Sequence, residues 1–185
     1  MRLGLISDTH LDDGGPGLPQ QVLDTFRAAE VRLVLHGGDL GSSTAVLDQL
    51  ETLAPVKAVR GYPDPHEPGD RLAETVRVLE IEGVRVGMVH DLFWPGPPII
   101  YNTRFEFPPG DLTETLIRKF GQPVDVVVHG HSHREDIAWY QGVLFVNPGS
   151  PTRPARRQGP GELGTVALLD VYRGVVTAEI VKLKH

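Results

Sequence analysis

Within the first sixty residues, three short apolar runs alternate with two stretches of helical periodicity, and this order limits the fold more than any other feature. Residues 3–6, 31–35 and 56–59 read as buried strands. Between them, Val22, Leu23 and Phe26 recur at helical spacing within residues 19–29, and Val46, Leu47 and Leu50 do the same within residues 44–53. A βαβαβ order implies parallel strands joined by right-handed crossovers. The second half is richer in strands. Residues 76–81 and 84–89 flank Glu82-Gly83 as a hairpin, and residues 112–120 read as a helix that Asp111 can cap. Residues 124–128 form a buried strand. Residues 137–140, 143–146, 166–171 and 175–181 read as antiparallel strands with turns at Gln141-Gly142 and Arg173-Gly174. The expected class is α/β: two mixed β-sheets packed face to face and flanked by helices. A chain of 185 residues, 40% hydrophobic and 23% charged, suits one domain over residues 1–185 with one sizeable core.

The net charge of -6 argues against a general nucleic-acid binder and against binding to anionic membranes. A small phosphorylated substrate remains compatible with it, because a metal ion can supply positive charge locally. With no cysteine in the chain, disulfides, thiolate metal sites and a cysteine nucleophile are all excluded. The start, MRLGLISDTH, lacks the features of a secretion signal, and no apolar run is long enough to span a bilayer. The cytoplasm is the expected location.

Acidic residues and histidines gather just past the ends of the apolar runs. Asp8 and His10 follow the first strand and Asp39 the second; His90 follows VRVGMV, and His129, His131 and His133 follow VDVVV. In open α/β sheets the C-terminal edge of the strands is where ligands bind. Residues two apart in an extended segment face the same way, so Asp8 and His10 can address one ion, as can His129 and His131. Carboxylate and imidazole donors without sulfur suit manganese, iron, zinc or nickel. Any one cluster could be an ordinary turn, cap or buried histidine; their recurrence at successive strand ends points to a metal centre.

In order, the chain shows Asp8-Thr9-His10, Gly38-Asp39, Gly61-Tyr62-Pro63-Asp64, His90, His129-Gly130-His131 and Asn147-Pro148-Gly149-Ser150. This series resembles the calcineurin-like metallophosphoesterases, in particular their small bacterial and archaeal phosphodiesterase branch, from the first strand to about Ser150. The resemblance implies a four-layer sandwich and a dinuclear, metal-dependent phosphodiesterase, with manganese the expected ion. It further implies that Asp8, His10 and His131 hold one ion, that Asp39 bridges, and that His90 and His129 hold the other. A metal-bridging hydroxide would attack phosphorus, with Asp39, Asp64 and His131 acting in catalysis. The alternative is a chain that keeps the fold and has lost catalysis. A retromer subunit of similar length is related to this family and serves as a protein-binding platform.

Tyr62 departs from the pattern, standing where the family places a ligand asparagine, and Pro63 stands where some members place a histidine. A neutral phenol, with a pKa of about 10, is a poor metal ligand. Four arrangements are open: a water in place of the missing ligand, Tyr62 itself as a substitute second-site ligand, replacement by Asp64 or Asn102, or a weak or empty second site. His36, His66, Asp91 and His133 are candidates to orient ligands by hydrogen bonding, and the family pattern needs His133 least.

Two stretches read as functional loops. Residues 93–109 carry Phe93, Trp94, Tyr101, Phe105 and Phe107, which suit a lid that stacks on an aromatic group, a satellite core, or the contact of a homodimer. Residues 151–161 carry Arg153, Arg156 and Arg157, which with Arg104 could grip phosphate oxygens or simply face water.

Overall fold

The computed structural model describes residues 1–73, 75–100, 111–156 and 162–184. Tyr101, Asn102, Arg104, Phe105, Phe107 and Arg157 lie outside the described residues. Among the described residues, ten strands form two five-stranded sheets with three helices. The first sheet contains β1 (Arg2–Ile6), β2 (Leu33–His36), β3 (Val56–Ala58), β9 (Thr165–Tyr172) and β10 (Val175–Lys182), in the order β10-β9-β1-β2-β3. The second contains β4 (Val76–Ile81), β5 (Val84–Val89), β6 (Val126–Val128), β7 (Asp136–Tyr140) and β8 (Val143–Asn147), in the order β4-β5-β6-β8-β7.

The pattern of side chains explains the layering. Leu3, Leu5 and Leu35 from the first sheet, with Val59 just past β3, meet Val86, Met88, Val126, Val128, Leu144 and Val146 from the second, which makes a dry layer between them. The other face of the first sheet carries Ile6 and Val34. These pack on Val22 and Phe26 of α1 (Gln20–Ala28) and on Val46, Leu47 and Leu50 of α2 (Ala45–Glu51). The outer face of the second sheet presents Val89, Val127 and Phe145 to Leu112, Leu116 and Phe120 of α3 (Leu112–Phe120). At the start of α3, Asp111 accepts hydrogen bonds from the N–H groups of Thr113 and Glu114, which satisfies two of the donors that a helix N-terminus leaves open. The expected α/β sandwich of two mixed sheets with helices outside is therefore the observed one. No helix among the described residues is long and apolar enough to cross a membrane.

The connections fix where chemistry can occur. β1, β2 and β3 run parallel, and so do β5, β6 and β8. Every segment bearing a candidate ligand leaves the C-terminal end of one of these strands. Two of the strands start later than the sequence pattern predicts. Val31 ends the turn after α1, its N–H donating to the Phe26 carbonyl, and Asp125 is tied across to Arg85 before β6 begins.

Candidate metal centre

The turns after β1 and β2 are stitched together before any side chain is considered. The N–H of Asp8 donates to Gly38 O (2.9 Å) and that of His10 to Asp39 O (3.1 Å). Buried His36 braces the same turns from below: its Nδ1 accepts from Gly38 N (3.1 Å), and its Nε2 lies 3.0 Å from Thr9 Oγ1, which donates to Leu40 O. Burial lowers the His36 pKa to about 3, so the ring is neutral. Asp8, His10, Asp39, His131 and His133 all have φ between 43° and 70°. Such values are uncommon for residues with a Cβ and persist where the surroundings hold them.

These turns bring six side chains together. Asp8, His10 and His133 form one group with donor atoms close enough to share an ion, and Asp8, Asp39 and His90 form a second. In the first, His10 Nε2 and His133 Nε2 face each other at 3.0 Å, and His133 Nε2 lies 3.6 Å from Asp8 Oδ1. Ligands about 2.0–2.2 Å from a shared ion sit roughly that far apart. In the second, His90 Nε2 lies 3.3 Å from Asp39 Oδ1 and 3.9 Å from Asp8 Oδ1. His131 stands beside this group, its ring perpendicular to that of His90 with centroids 5.4 Å apart. Asp39 Oδ2 reaches back to within 3.6 Å of His10 Nε2, so its carboxylate spans the two groups.

The donor set fits divalent cations. His90 Nδ1 donates to Gly37 O (2.8 Å) and His133 Nδ1 donates to Arg153 O (2.7 Å), so each ring is turned with its Nε2 toward the carboxylates. Asp39 Oδ1 and His90 Nε2 are buried without a hydrogen-bond partner; their 3.3 Å approach is poorly aligned for one. Leaving such atoms unsatisfied costs about 1–3 kcal/mol each, a cost that a coordinated ion removes. Burial also pushes the carboxyl of Asp8 upward. Burial opposes charge on His90, yet Asp39 and Asp8 outweigh it and lift its pKa to about 9. A proton and a dication would thus compete for the same place.

The geometry groups the histidines differently from the expected assignment, two residues further along. His133, not His131, joins Asp8 and His10, and His131, not His129, stands with His90. His129 is 5% exposed, and its N–H donates to Val146 O as a continuation of the β6 ladder. Its Nδ1 lies 3.4 Å from the Asn147 amide, and burial lowers its pKa to about 4. The turn begins only at Gly130, where an added Cβ would fall 2.0 Å from Ser7 Oγ and 2.6 Å from Asp8 Oδ2. Gly130-His131-Ser132-His133 also reads Gly-His-x-His, and these are the two histidines that the turn carries to the centre. The N–H of His131 donates to the Asp8 carboxylate, which fixes the two chains against each other.

Asp64 also differs from the catalytic place expected for it. It is 4% exposed, and both oxygens are taken by backbone: Oδ1 by Leu40 N (2.7 Å), Oδ2 by Asp39 N (2.8 Å) and Gly61 N (2.7 Å). It shapes the turn that carries Asp39. The fit is tight, because a Cβ on Gly61 would lie 1.9 Å from Asp39 Oδ1. Asp64→Ala strands three backbone donors, two of them in buried hydrogen bonds, so a loss of about 3 kcal/mol in denaturant unfolding is expected, with a manganese affinity about 10–100-fold lower. Unchanged stability would remove Asp64 from this role.

Tyr62 is 87% exposed and meets Trp94 edge-on with ring centroids 6.4 Å apart, which leaves it an unpromising substitute ligand. His66 pairs with Arg60 (3.1 Å), and Asp91 caps its own turn through Phe93 N. Arg153 is exposed and donates to His10 O (3.3 Å). The segment after β8 acts as a brace that motif spacing alone does not reveal. Ser150 Oγ donates to Asp8 O and Thr152 Oγ1 to Thr9 O, both at 2.7 Å.

Comparisons with known proteins give the family and the fold. The family model described as "Calcineurin-like phosphoesterase superfamily domain" matches residues 1–174. A probable metallophosphoesterase from Methanothermobacter thermautotrophicus is 38% identical over 154 residues, covering 83% of this chain and 79% of that protein. Among solved structures, Vps29 complexed with zinc from Entamoeba histolytica superposes with a TM-score of 0.68 at 22% identity, covering 98% of this chain and 99% of the other. A structure described as a novel archaeal phosphodiesterase gives 0.64 at 22% identity, covering 98% of this chain and 100% of the other. At that identity the two structures speak for the fold, whereas the family match and the archaeal relative speak for descent. The chain belongs to the calcineurin-like phosphoesterase superfamily.

Proposed function

We propose that the protein is a phosphodiesterase that works with two divalent cations, manganese foremost. The observation that carries this reading is the convergence of Asp8, His10, Asp39, His90, His131 and His133, with Asp39 Oδ1 and His90 Nε2 buried and unsatisfied at its centre. Asp8, His10 and His133 would hold one ion, His90 and His131 the other, with Asp39 shared. Cations held there would supply a more acidic bound water and stabilise the negative charge that develops on the phosphoryl oxygens. The chain itself supplies orientation. Gly37 O and Arg153 O fix the two ring tautomers, Asp64 holds the Asp39 turn, and Ser150 and Thr152 hold the turn of Asp8 and His10.

Hydrolysis of bis(p-nitrophenyl) phosphate tests the reading. The metal-stripped protein should be inactive, added Mn²⁺ should restore turnover, and the corresponding monoester should react at least about tenfold more slowly. Turnover unaffected by chelation, or a preference for the monoester, would overturn it. A second reading, a scaffold that binds a protein partner, draws on the exposed Tyr62 in the family's asparagine position and on the Vps29-like fold. Failure to take up manganese, together with inactivity, would favour it.

A further inference from the structure

Tyr62, Phe93 and Trp94 are 87%, 61% and 48% exposed, and all three sit on turns that leave the metal centre. Tyr62 directly follows Gly61, which abuts the Asp39 carboxylate, and Trp94 lies four residues after His90. The two turns come from different sheets, yet the rings of Tyr62 and Trp94 meet edge-on at 6.4 Å, within the range of a favourable aromatic pair.

Both turns are firmly built. Asp64 holds the Tyr62 turn through Gly61 N and ties it to Asp39 and Leu40. In the other, Trp94 N donates to Asp91 O and Phe93 N to Asp91 Oδ1, while Ile99 N returns to Leu92 O. Lys119 reaches across from α3 and donates to Pro95 O at 2.6 Å. Ile99 and Leu92 are buried beneath. Folding thus buries Leu92 and Ile99 and leaves the aromatic rings in water on the turns that follow Gly61 and His90. Exposed rings held on fixed supports are the usual means of gripping a flat group, because little side-chain freedom is lost on binding.

We propose that Tyr62 and Trp94 form a subsite for a flat aromatic group, an aryl ring or nucleobase, esterified to the phosphorus held at the metal centre. The proposal rests on the phosphodiesterase reading and adds the class of substrate. It also accounts for Tyr62 at the asparagine position: the residue serves the organic part of the substrate through its ring.

The test uses full-length protein loaded with Mn²⁺ and carrying Trp139→Phe, so that Trp94 is the sole tryptophan. Phenylphosphonate and methylphosphonate, neither of which has a cleavable ester, are titrated by calorimetry and by tryptophan fluorescence. Phenylphosphonate should bind about tenfold more tightly and perturb Trp94 emission, as stacking on one ring warrants. Tyr62→Ser should bring the two affinities within about twofold, whereas Tyr62→Phe should keep the preference, with manganese content unchanged in both. Equal affinities in the parent, or a preference that survives Tyr62→Ser, would overturn this proposal alone. Loss of manganese in Tyr62→Phe would overturn it in favour of a phenol ligand. Failure of the loaded protein to bind either phosphonate would overturn the underlying phosphoester reading as well.

Discussion

Asp39→Ala should lower manganese-dependent diester hydrolysis at least about 10³-fold and remove most of the bound metal. Asp39 is the one carboxylate whose two oxygens face different histidines, Oδ1 toward His90 and Oδ2 toward His10. Burial works against its charge, but His90, His10 and His131 hold its pKa below the ordinary carboxylate value. Two dications about 3.5–4 Å apart repel by roughly 4 kcal/mol even at the dielectric of water. A shared negative charge between them offsets that repulsion, and Asp39 turns a separate oxygen toward each group. Asp39→Asn keeps the shape and removes the charge, so it should fall nearly as far. Activity within tenfold of wild type in either variant would contradict the shared role.

His133→Ala should reduce activity by about 10²–10³-fold and cost one ion per chain, whereas His129→Phe should keep both ions and activity within about fivefold. His133 turns Nε2 toward Asp8 and His10 because Arg153 O holds the opposite nitrogen, and alanine leaves those two ligands without a third. His129 is held in the sheet, with Asn147 beside its Nδ1. Its loss should appear as about 1–3 kcal/mol in denaturant unfolding, the usual cost of disturbing a buried polar contact. Metal analysis of both purified variants separates the alternatives. An ion lost with His129 and retained without His133 would restore the assignment that sequence spacing suggests.

That pair of residues also shows where the sequence stops being legible. The sheets and helices follow from apolar periodicity, and the hairpin of β4 and β5, the α3 helix and its Asp111 cap lie where the pattern predicts. The edge that gathers Asp8, Asp39 and His90 follows from the parallel order of strands. The histidine register does not, because 129/131 and 131/133 have the same spacing and both fit a pair facing one ion. The decision lies in where the β6 ladder ends: His129 N still donates to Val146 O, and the chain turns at Gly130. Asp64 poses a similar problem. A carboxylate in a ligand motif reads as catalytic until three backbone N–H groups are seen to occupy it. The spacing of Tyr62 said only that it replaced an asparagine; its exposure and its contact with Trp94 gave it a different place.

Anomalous diffraction at the manganese edge, from crystals of the Mn²⁺-loaded protein, bears most directly on the whole account. Two peaks about 3.5–4 Å apart are predicted, one contacted by Asp8, His10 and His133, the other by His90 and His131, with Asp39 touching both. A single peak, a peak bonded to His129, or no peak among these side chains would contradict it.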